Sequence, residues 1–122
     1  MPKKILIIDD EEDMRIYIQT IFRKGGFETE MAVNGEDALD KLDNFAPDLI
    51  TLDILMPRKS GLNFFKSLRQ RDGMSNVPVI VVSGVTGNSE FFEDEDVGPT
   101  YFMEKPVEPD KLLGKARELT GA

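Results

Sequence analysis

The sequence predicts an α/β domain built on a parallel sheet. Two observations carry that prediction. Lys4-Ile5-Leu6-Ile7-Ile8, Leu49-Ile50-Thr51-Leu52 and Pro78-Val79-Ile80-Val81-Val82 are short continuous apolar runs rich in β-branched residues. Such runs suit strands covered on both faces, as parallel strands are. Between them lie stretches with helical spacing, joined by short connections, and that alternation is the mark of α/β architecture.

The elements follow in order. After the first strand come five acids, Asp9-Asp10-Glu11-Glu12-Asp13. Met14, Tyr17, Ile18, Ile21 and Phe22 then recur at helical intervals, and Gly25-Gly26 supplies a stop. Phe27 to Val33 alternates loosely, as a more exposed strand does. Asn34-Gly35 is a turn that also caps a helix, marked by Ala38, Leu39 and Leu42 and finished before Pro47. The third strand ends at Asp53, and Pro57 stops it, because proline has no amide for a ladder. Leu62, Phe65 and Leu68 predict a helix from Gly61 to about Arg71. The fourth strand runs into Ser83-Gly84. Thr100-Tyr101-Phe102-Met103 is a last short strand before Glu104-Lys105-Pro106, and a final helix is expected from about Pro109 to Thr120.

Composition narrows the function. A chain of 122 residues fits one domain with a real core. Without cysteine there is neither a disulfide framework nor a thiolate metal site. Without histidine there is no His-based triad, His-ligated zinc or phosphohistidine within the chain. The net charge of -8 disfavours DNA and anionic membranes as partners. No apolar run approaches the ~20 residues of a membrane span, and Met-Pro-Lys-Lys at the start lacks a signal-peptide core. A soluble cytoplasmic protein is the expectation.

The chemistry gathers at the strand ends. Right-handed crossovers align parallel strands, so Asp9, Asp10, Asp53, Ser83 and Lys105 are expected on one edge of the sheet. In open α/β sheets that carboxyl edge is where ligands collect. Three carboxylates and one lysine leave about two negative charges, which suits a divalent cation; without one, like charges this close would raise carboxylate pKa values. An all-oxygen donor set favours Mg²⁺ or Mn²⁺ over zinc.

Taken together, Ile7-Ile8-Asp9-Asp10-Glu11, Leu52-Asp53-Ile54-Leu55-Met56-Pro57 with Gly61, Val82-Ser83-Gly84 and Glu104-Lys105-Pro106 resemble the receiver domain of two-component response regulators. Each motif alone is weak; their order and spacing across the whole chain are specific. The resemblance implies a five-stranded sheet of order 2-1-3-4-5 with helices on both faces. It implies Asp53 as phosphoacceptor and Asp10, Asp9, Asp53 and the Leu55 carbonyl as Mg²⁺ ligands. Lys105 and the Ser83 hydroxyl would meet phosphoryl oxygens. Ser83 and Phe102 would move as a switch, with Tyr101 facing the other side of its strand, and Lys105-Pro106 would be cis. The implied partners are a sensor histidine kinase or phosphotransfer protein, a downstream protein target and, on phosphorylation, a second copy of the chain. Nothing past the last helix reads as an output domain, so a single receiver unit, 1–122, is expected.

Two departures from the family pattern shape further expectations. Leu55 and Val85, two residues after Asp53 and Ser83, are apolar where relatives often carry polar groups. Water should be excluded, and self-hydrolysis of the aspartyl phosphate should take hours, a tenfold slowing being only ~1.4 kcal/mol of barrier. Residues 85–99, where the family places another helix, have poor apolar spacing and repelling acids from Glu90 to Asp96, so a short or mobile helix is expected. Three other functions fit less well. A phosphorylation-independent binding module would not need every acid, hydroxyl and lysine of the site. An aspartyl phosphatase wants a second acid where Leu55 stands. A flavin-binding protein wants a phosphate loop after the first strand.

Overall fold

The computed structural model describes residues 2–53, 58–71, 73–83 and 100–122, without the side chains of 58–62, 65 and 83. Five strands, β1 (Lys4–Ile8), β2 (Glu28–Ala32), β3 (Leu49–Asp53), β4 (Val79–Ser83) and β5 (Thr100–Glu104), pair in parallel in the order β2-β1-β3-β4-β5. Ile8 pairs with Leu52, Asp53 with Val82 and Ser83 with Glu104, so the strands end nearly level.

Four described helices cover the sheet: α1 (Glu12–Lys24), α2 (Gly35–Leu42), α3 (Arg58–Gln70) and α4 (Pro109–Thr120). Strand alternation divides the core into two layers. Leu6, Ile8, Ile50, Leu52, Val79 and Val81 meet Ala38 and Leu42 of α2 and Phe64 and Leu68 of α3. Ile5, Ile7, Leu49, Ile80 and Val82 meet Ile18, Ile21 and Phe22 of α1 and Leu112 and Ala116 of α4. The expected class, order and two-faced cover are therefore those of the molecule.

Two details differ from the expectation. The third helix starts at Arg58 rather than Gly61. Arg58, Lys59 and Ser60 carry no apolar marker, and a glycine costs only about 1 kcal/mol inside a helix, so tertiary packing overrides it. Its inward face includes Phe64, 1% exposed, which the spacing of Leu62, Phe65 and Leu68 passed over. Tyr17, read as part of the apolar stripe of α1, is 42% exposed, and its hydroxyl donates to the Val107 carbonyl at 2.8 Å.

Helix ends follow their local chemistry. α1 has Glu12 and Asp13 in its first turn and Arg23 and Lys24 in its last, matching the helix dipole. Its stop uses Gly26 at φ 91, where side chains are strained. At α2, the Asp37 amide donates to Asn34 Oδ1 at 2.8 Å and the Val33 amide to Asp37 Oδ2 at 3.0 Å, a reciprocal cap. The Val33 amide, with Lys41 assisting, holds the Asp37 carboxyl below its ordinary range. Asn34→Ala is expected to cost about 1 kcal/mol of stability in urea denaturation; an unchanged midpoint would show that the cap contributes nothing.

Candidate functional site

β1 and β3 are neighbours, and each ends in an acid at the same edge. Asp9 is 1% exposed and Asp53 2% exposed, while Asp10 is exposed to solvent. One carboxylate oxygen from each of the three lies within 4.8 Å of the others. β5 brings Lys105 to the same place from the far edge of the sheet. Its Nζ lies 3.4 Å from Asp53 Oδ1, with the two side chains 16% and 1% exposed. The Lys105-Pro106 bond is cis.

The turn after β1 is held from within. The Glu11 amide donates to Asp9 Oδ1 at 2.8 Å, and the Arg15 guanidinium donates to the Asp9 carbonyl at 2.7 Å. The Asp9 amide donates to the Ala32 carbonyl of β2 at 3.1 Å. Asp9 is thus fixed on three sides. Arg15 was not singled out from the sequence, and nothing there marks it, because its contact depends on the sharp turn from strand into helix.

Asp9 is the group whose ionisation this arrangement disturbs. Burial pushes its carboxyl up from 3.8 to about 7. The Glu11 amide opposes the shift, the nearby Asp53 charge adds to it, and Lys105 draws it back slightly. Asp9 Oδ2 is buried and has no hydrogen-bond donor among the described residues. A buried carboxylate oxygen without a donor, beside two further carboxylates, is an arrangement that a hard cation completes. The donors are all oxygen, so the residues fit Mg²⁺ or Mn²⁺ and offer nothing that selects zinc.

The remaining site expectations divide as follows. Phe102 is 41% exposed, so it is not a core residue in this conformation. Tyr101 lies on the other side of β5, where Lys115 of α4 sits 4.7 Å from its ring centroid. Ser83 ends β4 at the site edge, but its hydroxyl falls outside the description. So do Leu55 with its carbonyl, Val85, and the segment 85–99 with the helix expected there. Asp9, Asp10, Asp53 and Lys105 are the candidates brought together.

This combination of a 2-1-3-4-5 parallel sheet and an acid–lysine cluster at its carboxyl edge defines a class of signalling domain. Residues 5–117 match the response regulator receiver domain family, and the chain belongs to it. It is 35% identical over 114 residues to the chemotaxis protein CheY of Bacillus subtilis, covering 93% of each chain. It is 32% identical over 119 residues to the response regulator MprA of Mycobacterium sp. (strain KMS); that match takes in 98% of this chain and 51% of the relative, so the chain spans about half of MprA's length. Among solved structures, chemotaxis protein CheY4 of Vibrio cholerae superposes with a TM-score of 0.88 at 28% identity, covering 98% of this chain and 99% of the other. The receiver is therefore of the bacterial two-component type. No helix among the described residues is long and apolar enough to cross a membrane.

Proposed function

We propose that this chain is a phosphorylation-operated receiver in which Asp53 takes a phosphoryl group from a histidine kinase, a phosphotransfer protein or a small phosphodonor. The observation that carries the reading is the contact between buried Asp53 and Lys105 in a cluster with two further acids. The Asp53 carboxylate attacks the phosphorus of the donor, the donor's P–O or P–N bond breaks, and the aspartate becomes an acyl phosphate. Lys105 stands beside the attacking carboxylate with its ammonium directed at Asp53 Oδ1, where it also meets charge on the transferring group. Asp9, Asp10 and Asp53 would hold Mg²⁺, with the Leu55 carbonyl as a further ligand; when bound, the ion offsets the charge of the carboxylates and of the phosphoryl oxygens.

Phosphorylation replaces one charge at Asp53 by nearly two and adds acceptor oxygens. The Ser83 hydroxyl supplies a bond to one of them, and Phe102 turns inward as the edge of the sheet rearranges. The readout is a changed protein–protein contact, with a downstream protein or a second copy of the chain. The unit is a switch within one receiver domain and not a turnover enzyme. It works inside the cell, where a kinase and Mg²⁺ are at hand.

The test is intact mass after incubation with Mg²⁺ and acetyl phosphate. Wild-type protein is expected to gain about 80 Da, one phosphoryl group, and Asp53→Asn protein or EDTA-treated protein to gain nothing. The added mass should decay over hours, as the apolar Leu55 and Val85 lead one to expect. No phosphoryl group on wild type, with acetyl phosphate or with a histidine kinase as donor, would leave a phosphorylation-independent binding module in its place, and a phosphoryl group on the Asp53→Asn protein would move the acceptor to another residue.

A further inference from the structure

Thr51 is the polar side chain of β3 that the switch does not use. It is 1% exposed, and its Oγ1 has no hydrogen-bond partner among the described residues. A buried hydroxyl left in that state costs free energy, so its surroundings should supply a partner. Its neighbours across the ladder do not. Thr51 pairs with Ile7 of β1 and Ile80 of β4, both part of the apolar layer under α1 and α4.

Alternation puts Thr51 on the same sheet face as Asp53, two residues and about 6.6 Å further along the strand. Asp9 follows Ile7 with the same parity, so Asp9 and Asp53 form the next rung above Ile7 and Thr51. That rung holds Asp9 Oδ2, a second buried atom without a donor, which keeps a lone pair for a hydrogen bond beside the one a cation would take. The Thr51 hydroxyl bonds to neither carboxylate, and a gap of one rung suits one shared water. Buried waters typically make about three hydrogen bonds to groups of this kind.

We propose that Thr51 is a positioning residue for the phosphoacceptor, acting through one buried water that it shares with Asp9 and Asp53. The inference rests on Asp53 being the phosphoacceptor. The hydrogen bonds balance: the Thr51 hydroxyl donates to the water oxygen, and the water donates one proton to Asp9 Oδ2 and one to the Asp53 carboxylate. The two donated protons separate like charges that otherwise face each other. They also fix the rotation of the Asp53 carboxylate about its last bond, and with it the direction of the attacking lone pair. Thr51 thereby acts on the rate of attack and not on the binding of the donor.

Thr51→Val and Thr51→Ser test this, with acetyl phosphate and Mg²⁺ as the probe and the full chain throughout. Valine keeps the shape and removes the hydroxyl; serine keeps the hydroxyl. The expected result is a maximal phosphorylation rate about fivefold lower in Thr51→Val, with half-saturation by acetyl phosphate unchanged. Thr51→Ser should stay within about twofold of wild type, and the melting temperature of Thr51→Val should fall, because the water loses a bond. A high-resolution crystal structure should show the water in contact with Thr51 Oγ1. Four results would overturn the proposal: a wild-type rate in Thr51→Val, an equal loss in both variants, a rise in melting temperature in Thr51→Val as for a dry orphan hydroxyl, or a crystal structure without the water. Failure of wild-type protein to take up phosphoryl would instead be failure of the phosphoacceptor reading, and the two are told apart by the wild-type arm.

Discussion

Replacing Lys105 by alanine is expected to slow phosphorylation of Asp53 by acetyl phosphate by about 100-fold or more. The effect is large because Lys105 touches Asp53 at 3.4 Å, and both side chains are mostly withdrawn from water. A charge held in place before reaction stabilises developing charge without reorganisation, and it does so more strongly where water is sparse. Stability should move as well. Without Lys105 the buried Asp53 charge loses this ion pair, a loss expected to cost about 1 to 3 kcal/mol at neutral pH without Mg²⁺. The same substitution in an Asp53→Asn background should cost much less, because the charge it leaves behind is gone. Initial rates by intact mass and a double-mutant cycle in urea check both parts. A Lys105→Ala rate within threefold of wild type would remove Lys105 from the chemistry.

Removing divalent cations should make the fold less stable at pH 8 than at pH 5, against the usual behaviour of a carboxylate. Asp9 sets the sign. Its carboxyl is raised from 3.8 to about 7 in the folded chain, mainly by burial. Below pH 3.8 the group is protonated in both states and the folded chain carries no penalty. As pH rises past 3.8 the unfolded chain ionises while the folded chain keeps its proton, so stability falls. The fall ends near pH 7, when the folded chain ionises too. Asp37, whose carboxyl is lowered, contributes in the opposite direction and at more acid pH, where its contribution is lost; the two windows therefore stay apart. A divalent cation at the cluster should reverse the trend, raising the melting temperature at pH 8 and doing so far less at pH 5, where protons compete for the same oxygens. Asp9→Asn should flatten the metal-free profile between pH 5 and 8. Thermal melts at four pH values, with Mg²⁺ and with EDTA, check this. A wild-type profile that is flat without metal, or a Mg²⁺ effect equal at both ends, would contradict it.

Much of the architecture could be read before any coordinates because the strands are buried on both sides. Ile5 to Ile8 and Val79 to Val82 are continuous apolar runs that no exposed segment could carry, and the acid or hydroxyl that ends each marks the sheet edge. Strand alignment then brings Asp9, Asp53 and Lys105 together from topology alone. What could not be read depends on neighbours distant in sequence. Phe64 is core because it shares the inward face of α3 with Leu68 four residues on, a pairing that a spacing by threes does not show. Tyr17 turns its ring outward because the Val107 carbonyl waits at the far end of the chain. Thr51 passed as an ordinary strand former, since a β-branched residue fits a pleated surface whether or not its hydroxyl is used. Only its surroundings, two isoleucines and a pair of acids, show that the hydroxyl is out of place in a purely apolar layer.

The contact between Asp53 and Lys105 joins residues 52 positions apart, and that between Tyr17 and Val107 joins residues 90 apart. During synthesis the acidic pocket of β1 and β3 emerges well before the lysine of β5. A nascent chain halted after β4 would present the crowded carboxylates without Lys105 and with one edge of β4 unpaired. Competence to accept phosphate should therefore arrive only when the fifth strand docks, late in the making of the molecule.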